Sequence, residues 1–338
     1  MPTIIYLFIK SDINSMLEWM PIIKKAVQDG KESVKFTAKT TEKKFPEQVK
    51  NAMEFISFNG GYSGFLINNY NMTYSSDGDV SIDIKYFQSR QQTLAVEEAV
   101  KKQIPLLISN GMSDLEKLIA IHDYIIKNIS YDHSYTNRSP FFALKDKKSV
   151  CSGFALLGGR FLHHAGIKHF FICGDSRQPG ENRTEKHIWN KVNIRNDWYN
   201  VDFTWDSCSR DVNPYNYFCT TDSQLKKTHQ PEKKQIDIPE SPQELFYKKI
   251  INKTLSKEEK RILKYIYPGQ ILKDPMELTL QIKNPGNYNF SVPIGTDISK
   301  FLNSAIQPLS KIVSSIESSY FNNEVLNVIQ VKLIVLGR

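Results

Sequence analysis

The chain has 338 residues, 40% hydrophobic and 24% charged, which excludes wholesale disorder and leads us to expect two or three compact units. Aromatic residues make up 12%, enough for more than one core, and the longest apolar runs, such as Thr3 to Ile9, fall far short of the ~20 residues that cross a bilayer. Net charge is +8, but residues 225–264 alone hold 11 Lys/Arg against 6 Asp/Glu, so most of the excess sits in one stretch.

That stretch, with Lys226, Lys227, Lys233, Lys234, Lys248 and Lys249, reads first as a solvated linker and helix face. Attraction to an acidic partner is the sharper reading. No nucleic-acid motif accompanies it, so DNA or RNA binding is not expected. The amino terminus lacks a charged n-region and a small-residue cleavage site, which points to the cytoplasm. A signal already trimmed away would leave the same sequence, and so export or the cell surface stays open. Four cysteines, Cys151, Cys173, Cys208 and Cys219, form no CxxC pair and are too sparse for a disulfide scaffold.

Residues 1–90 read as an α/β module. Val34, Phe36 and Ala38 alternate as on a half-buried strand, and a helix from Pro46 to Phe58 ends at Gly60 and Gly61. Asn71–Ser75 and Val80–Tyr86 form a hairpin about a Ser-Ser-Asp-Gly turn. Residues 91–228 form the central domain, opened by the capping box Ser113-Asp-Leu-Glu116. Leu115, Leu118, Ile119, Ile125, Ile126 and Ile129 give its helix a buried stripe that includes His122, read as a core histidine. The core ends near 222, and residues 229–270 follow as a basic linker and helical segment. Residues 271–338 read as a ββαβ module: Met276, Leu278, Leu280 and Ile282 alternate, Asn-Pro-Gly turns the chain, and Tyr288, Phe290 and Val292 alternate again. A helix carrying Ile298, Phe301, Leu302, Ala305 and Ile306 follows, then a strand at Val328–Leu336.

Chemistry concentrates in residues 149–206. Phe154, Ala155, Gly158, Phe161, Leu162 and Ala165 recur at helical spacing from Cys151, which places the thiol in the first turn of a buried helix face. Amides exposed at a helix start favour a negative charge, so a thiol there is more readily ionised. Gly158 and Gly159 each weaken the helix by ~1 kcal/mol, which implies close approach by a neighbouring strand. His187–Ile194 and Trp198–Thr204 read as a hairpin. A two-residue turn at Arg195-Asn196 pairs Ile194 with Asp197, and so brings Asp202 onto the face of His187. An Asn196-Asp197 turn would instead carry the carboxylate out of reach.

A thiol, an imidazole and a carboxylate are the nucleophile, base and orienter of acyl transfer. In that arrangement Cys151 attacks an amide carbonyl, His187 moves the proton, and Asp202 fixes the imidazole. The Cys151 amide is one oxyanion donor and the Tyr131 hydroxyl a candidate second. His163, His164, His169 and Cys173 invite a zinc reading but lack any recurring ligand spacing, so neither metal nor cofactor is expected. Trp189, Trp198 and Trp205 flank the acid and base as cleft wall, and Tyr215 to Phe218 reads as packing.

Ser-Val-Cys-Ser-Gly-Phe-Ala (149–155), His-Ile-Trp-Asn-Lys-Val (187–192) and Trp-Tyr-Asn-Val-Asp-Phe-Thr-Trp-Asp (198–206) resemble the bacterial transglutaminase-like superfamily. So do Ile-His-Asp-Tyr-Ile-Ile-Lys-Asn-Ile-Ser-Tyr-Asp (121–132) and Tyr215-Asn-Tyr-Phe218. The resemblance covers roughly residues 113–222. It implies an α+β, papain-like core, with a catalytic helix packed on an antiparallel sheet, and Cys151, His187 and Asp202 as its triad. Lys148-Ser149 replaces a glycine often found before the cysteine, and Ile188 replaces the usual alanine after the histidine; neither removes a catalytic group. The implied activity is cysteine-dependent acyl transfer on a peptide or protein amide through a thioester, as a protease or amidase, or as a transglutaminase. Hydrolysis is slightly favoured because water is always at hand. The alternative is a catalytically inactive binding or scaffold protein on the same fold.

Overall fold

The computed structural model describes residues 13–37, 45–178, 183–210, 213–235, 237–323 and 326–337, the side chains of 13–18 and 321 excepted. Its first unit comprises α1 (Ile13–Gln28), β1 (Ser33–Thr37), α2 (Phe45–Asn59), α3 (Gly61–Phe65), β2 (Ile67–Tyr74) and β3 (Asp79–Tyr86). The strands form an antiparallel sheet in the order β1-β3-β2. Val80, Ile82 and Ile84 alternate along β3 onto one face and are buried with Trp19, Ile23, Val49, Met53 and Ile56. Gly78 closes the hairpin at φ 87°, a conformation glycine adopts without strain. Ala38 lies outside the described residues.

The central unit contains α4 (Arg90–Leu107), α5 (Asp114–Asn128), β4 (Ser130–Tyr131), α6 (Pro140–Asp146), β5 (Lys148–Ser149) and α7 (Cys151–His164). It continues with β6 (His169–Ser176), β7 (Glu185–Ile194), β8 (Asp197–Val201), α8 (Phe203–Ser209), α9 (Asp222–Leu225) and β9 (His229–Pro231). Ser113 and Glu116 do form the reciprocal cap of α5. The antiparallel sheet runs β8-β7-β6-β9. Helix α7 lies on it: Phe154, Leu157, Phe161 and Leu162 are buried with Val192, Ile194, Tyr199 and Val201 of the hairpin.

Two glycines of α7 set how closely these layers approach. A methyl group on Gly159 would stand 2.3 Å from the Phe171 ring of β6, the close strand that the sequence leads one to expect. At Gly158 the neighbour is instead the Phe203 ring of α8, at 2.4 Å. A third, Gly174 of β6, would put a methyl 2.1 Å from the Gln230 carbonyl oxygen, so β9 can pair there only because residue 174 has no side chain.

The sheet therefore extends past residue 228, where the sequence reading begins a linker. Beyond β9, the Gln235 side chain accepts from the Cys173 amide (2.6 Å) and donates to the Phe171 carbonyl (2.8 Å), continuing the edge. Helices α10 (Phe246–Ile251) and α11 (Lys257–Ile266) then add Phe246, Ile250, Ile262 and Ile266 to the central core. Part of the basic excess is neutralised within the chain, by Lys249 with Asp197, Arg261 with Asp123 and Lys234 with Glu54.

The last unit departs from the expected ββαβ order. Met276 to Ile282, read as a strand, falls in helix α12 (Pro275–Gln281). Asp274 caps it by accepting from the Met276 amide, and proline occupies the first turn. Only Leu278 and Ile282, four residues apart, are buried; Met276 and Leu280 are 51% and 67% exposed, so the period-two pattern was half a helical stripe. Strand β10 (Gly286–Pro293) and helix α13 (Ile298–Ile306) follow, then β11 (Val313–Asn323) and β12 (Val328–Gly337), in the order β10-β12-β11. Strand β11, polar for much of its length, lies at the sheet edge and carries little of the apolar alternation that announces a strand.

Because Phe203 is itself buried, a methyl at position 158 has no free space. Gly158→Ala is expected to destabilise the protein by about 1–3 kcal/mol in urea unfolding, despite the better helix propensity of alanine.

Candidate active site

The start of α7 is pinned from the loop before it. Asp132 accepts from the amides of Ser134 (3.0 Å), Thr136 (3.0 Å) and Asn137 (2.8 Å), which folds residues 132–137 around one carboxylate. Hydrogen bonds from Ser134 and Asn137 hold that carboxyl well below the usual range. The Asn137 carbonyl then receives the Ser149 hydroxyl (2.7 Å) and the Val150 amide (2.9 Å), and the Arg138 carbonyl receives the Ser152 hydroxyl (2.7 Å). Gly153 completes the turn, since any side chain there would run into Ser149. Cys151 is thus fixed as the first residue of α7, half-buried, with no side chain capping the helix ahead of it. Tyr131, at the end of β4, lies within electrostatic reach of the Cys151 sulfur. Burial, and then that sulfur, push the phenol above its ordinary value, so it stays a hydrogen donor.

The hairpin resolves the register question. Arg195 and Asn196 both have positive φ, 56° and 67°, which makes a two-residue turn whose twist matches the strands it joins. Ile194 pairs with Asp197 and Asn190 with Val201, so Asp202 leaves β8 on the His187 side. His187 Nε2 donates to Asp202 Oδ2 at 2.6 Å, with both side chains nearly sealed from solvent. The Cys151 sulfur lies close enough to the His187 ring to favour its charged form, and Nδ1 is the ring nitrogen that Asp202 leaves free. Burial opposes a charged imidazole, but the Asp202 charge and hydrogen bond, helped by Cys151, outweigh it and push His187 up to about 10. Burial likewise opposes the Asp202 charge, and the His187 and His229 contacts overcome it, holding the carboxyl below its usual range. All three residues singled out in the sequence are therefore neighbours.

Of the three tryptophans expected beside them, two are there. Trp189 stacks on His187 (centroids 6.1 Å apart) and is oriented by Nε1 donating to Asn200 Oδ1 (3.1 Å), while the Trp205 ring lies 5.9 Å from His187. Trp198 pairs with Asn193 and packs on Phe170, roughly 20 Å along the strand from His187.

The sequence reading missed His229. Its Nε2 meets the same Asp202 Oδ2 at 3.0 Å, its Nδ1 meets the Thr228 hydroxyl at 2.8 Å, and its side chain is wholly buried. The only signal was a lone histidine after a lysine pair. Among the described residues, His187, Asp202 and His229 are the one group whose donor atoms could gather on a metal ion. Their N···O separations of 2.6 and 3.0 Å suit hydrogen bonds. Ligands at ~2.0–2.1 Å around a tetrahedral ion would stand about 3.3 Å apart. His163, His164, His169 and Cys173 do not converge: His164 binds Glu97 (2.8 Å), and His169 faces the Ile167 carbonyl (3.2 Å).

A second buried pair lies one turn further along α8. His122 Nε2 and Asp206 Oδ2 are 3.0 Å apart, fully enclosed by Tyr215, Phe203 and Phe218, in keeping with a core histidine.

The transglutaminase-like superfamily matches residues 100–203. Kyphoscoliosis peptidase of Mus musculus is 27% identical over 194 residues, covering 51% of this chain and 29% of that protein. The Homo sapiens protein of the same name is 26% identical over the same span and coverage. The chain thus spans under a third of the length of these curated relatives. Among solved structures, a TGase covers 51% of this chain and 50% of its own, at 14% identity and TM-score 0.30. A candidate cysteine protease from Cytophaga hutchinsonii covers 40% and 61%, at 15% identity and TM-score 0.29. The curated relatives are mammalian, so the matches do not show the bacterial branch that the sequence resemblance implies. Residues 100–203, which carry the thiol-bearing helix and most of the hairpin just described, are thus a segment that matches the transglutaminase-like superfamily.

Proposed function

We propose that the protein is a cysteine-dependent acyl-transfer enzyme acting on peptide or protein amides, with Cys151 as nucleophile, His187 as proton carrier and Asp202 as orienter. The observation that carries this reading is the Cys151 thiol at the head of α7, facing an imidazole that a buried carboxylate keeps protonated. An imidazolium beside the sulfur balances a thiolate, the form that attacks. The sulfur adds to the amide carbonyl, and the oxyanion is met by the Cys151 N–H and the Tyr131 hydroxyl. The C–N bond then breaks as His187 gives its proton to the departing nitrogen, leaving a thioester. His187, now neutral, takes a proton from water or from an amine as that acceptor attacks, and the sulfur leaves as the thiolate. Asp202 stays ionised throughout and fixes the tautomer.

Water as acceptor makes a protease or amidase, and an amine makes a transglutaminase. The curated relatives are named as peptidases, which favours hydrolysis. Cleavage of fluorescein-labelled casein and incorporation of a fluorescent primary amine separate the two, and Cys151→Ala should abolish either.

Thiol reactivity tests the machinery before a substrate is known. Burial, with Glu232 nearby, pushes Cys173 up to about 12. Partial burial and the Asp202 and Asp206 charges push Cys208 up to about 11, although its side chain reaches solvent. Cys219 is fully enclosed and raised well above its ordinary value. Iodoacetamide at pH 6.5, read by peptide mass mapping, should therefore label Cys151 ahead of the other three. His187→Ala should slow that labelling at least ~10-fold. Slow, unselective labelling that ignores the mutation would favour the inactive binding protein.

The ion pair also has a pH signature. Its stabilisation is present above the ordinary Asp value of 3.8 and below the ordinary His value of 6.5, and it fades as pH climbs through about 10. The stability gap between wild type and Asp202→Asn, by urea unfolding, should be widest between those two values and should narrow by pH 10. Ring 13C NMR of the same variant should show His187 titrating far below 10.

A further inference from the structure

We infer that His229, oriented by Thr228, is a positioning residue for this chemistry: it shares the Asp202 oxygen that His187 uses and thereby limits how tightly His187 holds its proton. The inference rests on the acyl-transfer reading and adds a fourth and a fifth residue to it.

Hydrogen positions follow from the chemistry of the groups. An ionised carboxylate only accepts, so both imidazole nitrogens that meet Asp202 Oδ2, at 2.6 and 3.0 Å, must carry hydrogen. His229 is enclosed by the rings of Trp205 (4.6 Å), Trp189 (5.0 Å) and Tyr217 (5.7 Å). Burial, against the pull of Asp202 and with the charge of His187 nearby, lowers its proton affinity, so it is a neutral donor and not a second cation. Neutral His229 with hydrogen on Nε2 has a bare lone pair on Nδ1. The Thr228 hydroxyl, 2.8 Å away, donates to it, its other acceptor being the Leu225 carbonyl at a longer 3.3 Å. Thr228 thus selects the tautomer that can face Asp202.

The carboxylate itself is already anchored, because Oδ1 accepts from the amides of Thr204 (2.8 Å) and Trp205 (3.1 Å). His229 is not needed to aim it. What a second donor on Oδ2 does is draw charge from the oxygen that binds His187. The charged and titratable groups facing His187 are Asp202 from the head of α8, Cys151 from α7 and His229 from β9, with Asp206 acting on Asp202 from one turn on. An imidazolium held by an unshared buried carboxylate would be slow to yield its proton to a leaving nitrogen. Dividing the oxygen keeps the pair close enough to form the thiolate and loose enough to release the proton.

The sign of the effect is the test. In protein with ring-labelled histidine, His229→Leu should raise the His187 titration midpoint by about one pH unit. It should also move the iodoacetamide profile of Cys151 to lower pH. That is opposite to Asp202→Asn, which removes the attraction altogether. Thr228→Val, which keeps the side-chain shape, should shift both in the same direction as His229→Leu by a smaller amount. His229→Gln, whose amide can still donate to Oδ2, should stay close to wild type. If His229→Leu does not fold, Thr228→Val decides. A His187 midpoint unmoved or lowered in these variants, whatever happens to Tm, would show His229 to be packing and overturn the inference. Should wild-type Cys151 prove unreactive, the acyl-transfer reading fails by itself, while the ring titration still reports whether His229 shares the carboxylate.

Discussion

Asp202 is 1% exposed, and a carboxylate in that position is destabilising by several kcal/mol unless its oxygens are met. The chain meets them from three separate places. Two donors are the amides that open α8, so the carboxylate doubles as the helix cap. A third comes from His187 on β7 and a fourth from His229 on β9, the strand at the opposite edge of the sheet from β8. Its own amide is tied to the Tyr217 carbonyl (3.1 Å). Helix, hairpin and edge strand are thus held in register by one charge, and the same charge keeps His187 protonated. Structural and electrostatic roles coincide because satisfying the carboxylate and holding the proton of the imidazole are one set of hydrogen bonds.

Around that node, close packing is enforced by the absence of side chains. Gly158 and Gly159 let the Phe203 and Phe171 rings press on α7, and Gly174 lets β9 reach β6. Gly159 brings the thiol-bearing helix to the sheet, Gly158 brings it to α8, and Gly174 brings His229 to Asp202. At the other end of the helix's first turn, Asp132 gathers the preceding loop onto its carboxylate, and Asn137 passes that rigidity to Ser149 and Val150. Cys151 is therefore positioned in part by a second acidic residue, acting through Asn137 and Ser149.

What the sequence disclosed and what it hid follow from range. The Cys151 helix and the α5 cap rest on local signals, namely spacing and a Ser-x-x-Glu box, while the β7–β8 register is open between two turns in the sequence and is decided in the structure for Arg195-Asn196. With both His187 and Asp202 on that hairpin, the local register is enough to pair them. His229 is invisible to such reasoning, because β9 joins β6 across more than fifty residues and carries no alternation in three residues. Strand β11 is hidden by its polar edge character. Met276 to Ile282 misleads because a spacing of two, repeated, contains a spacing of four, and only the Asp-Pro cap decides between strand and helix. Trp198 was placed beside the acid and base by its neighbours in sequence, whereas its place in the ladder puts it at the turn.

The contrast between Asp202 and Asp206 shows how two enclosed carboxylates on one short helix come to differ. Asp202 has four donors, and the balance of burial against hydrogen bonds and the His187 charge falls on the side of ionisation. Asp206 has two, the Tyr217 amide (2.8 Å) and His122 (3.0 Å), and there burial wins, pushing it up to about 6. The negative charge of Asp202 contributes in the same direction. Burial also opposes a charge on His122, but Asp123 and Asp206 together hold its proton. Two like charges one helical turn apart in a dry interior are most easily accommodated when one of them readily takes a proton. Asp206 is the one with fewer donors, and it is the one whose proton affinity rises, while Asp202 remains the charge on which His187 depends.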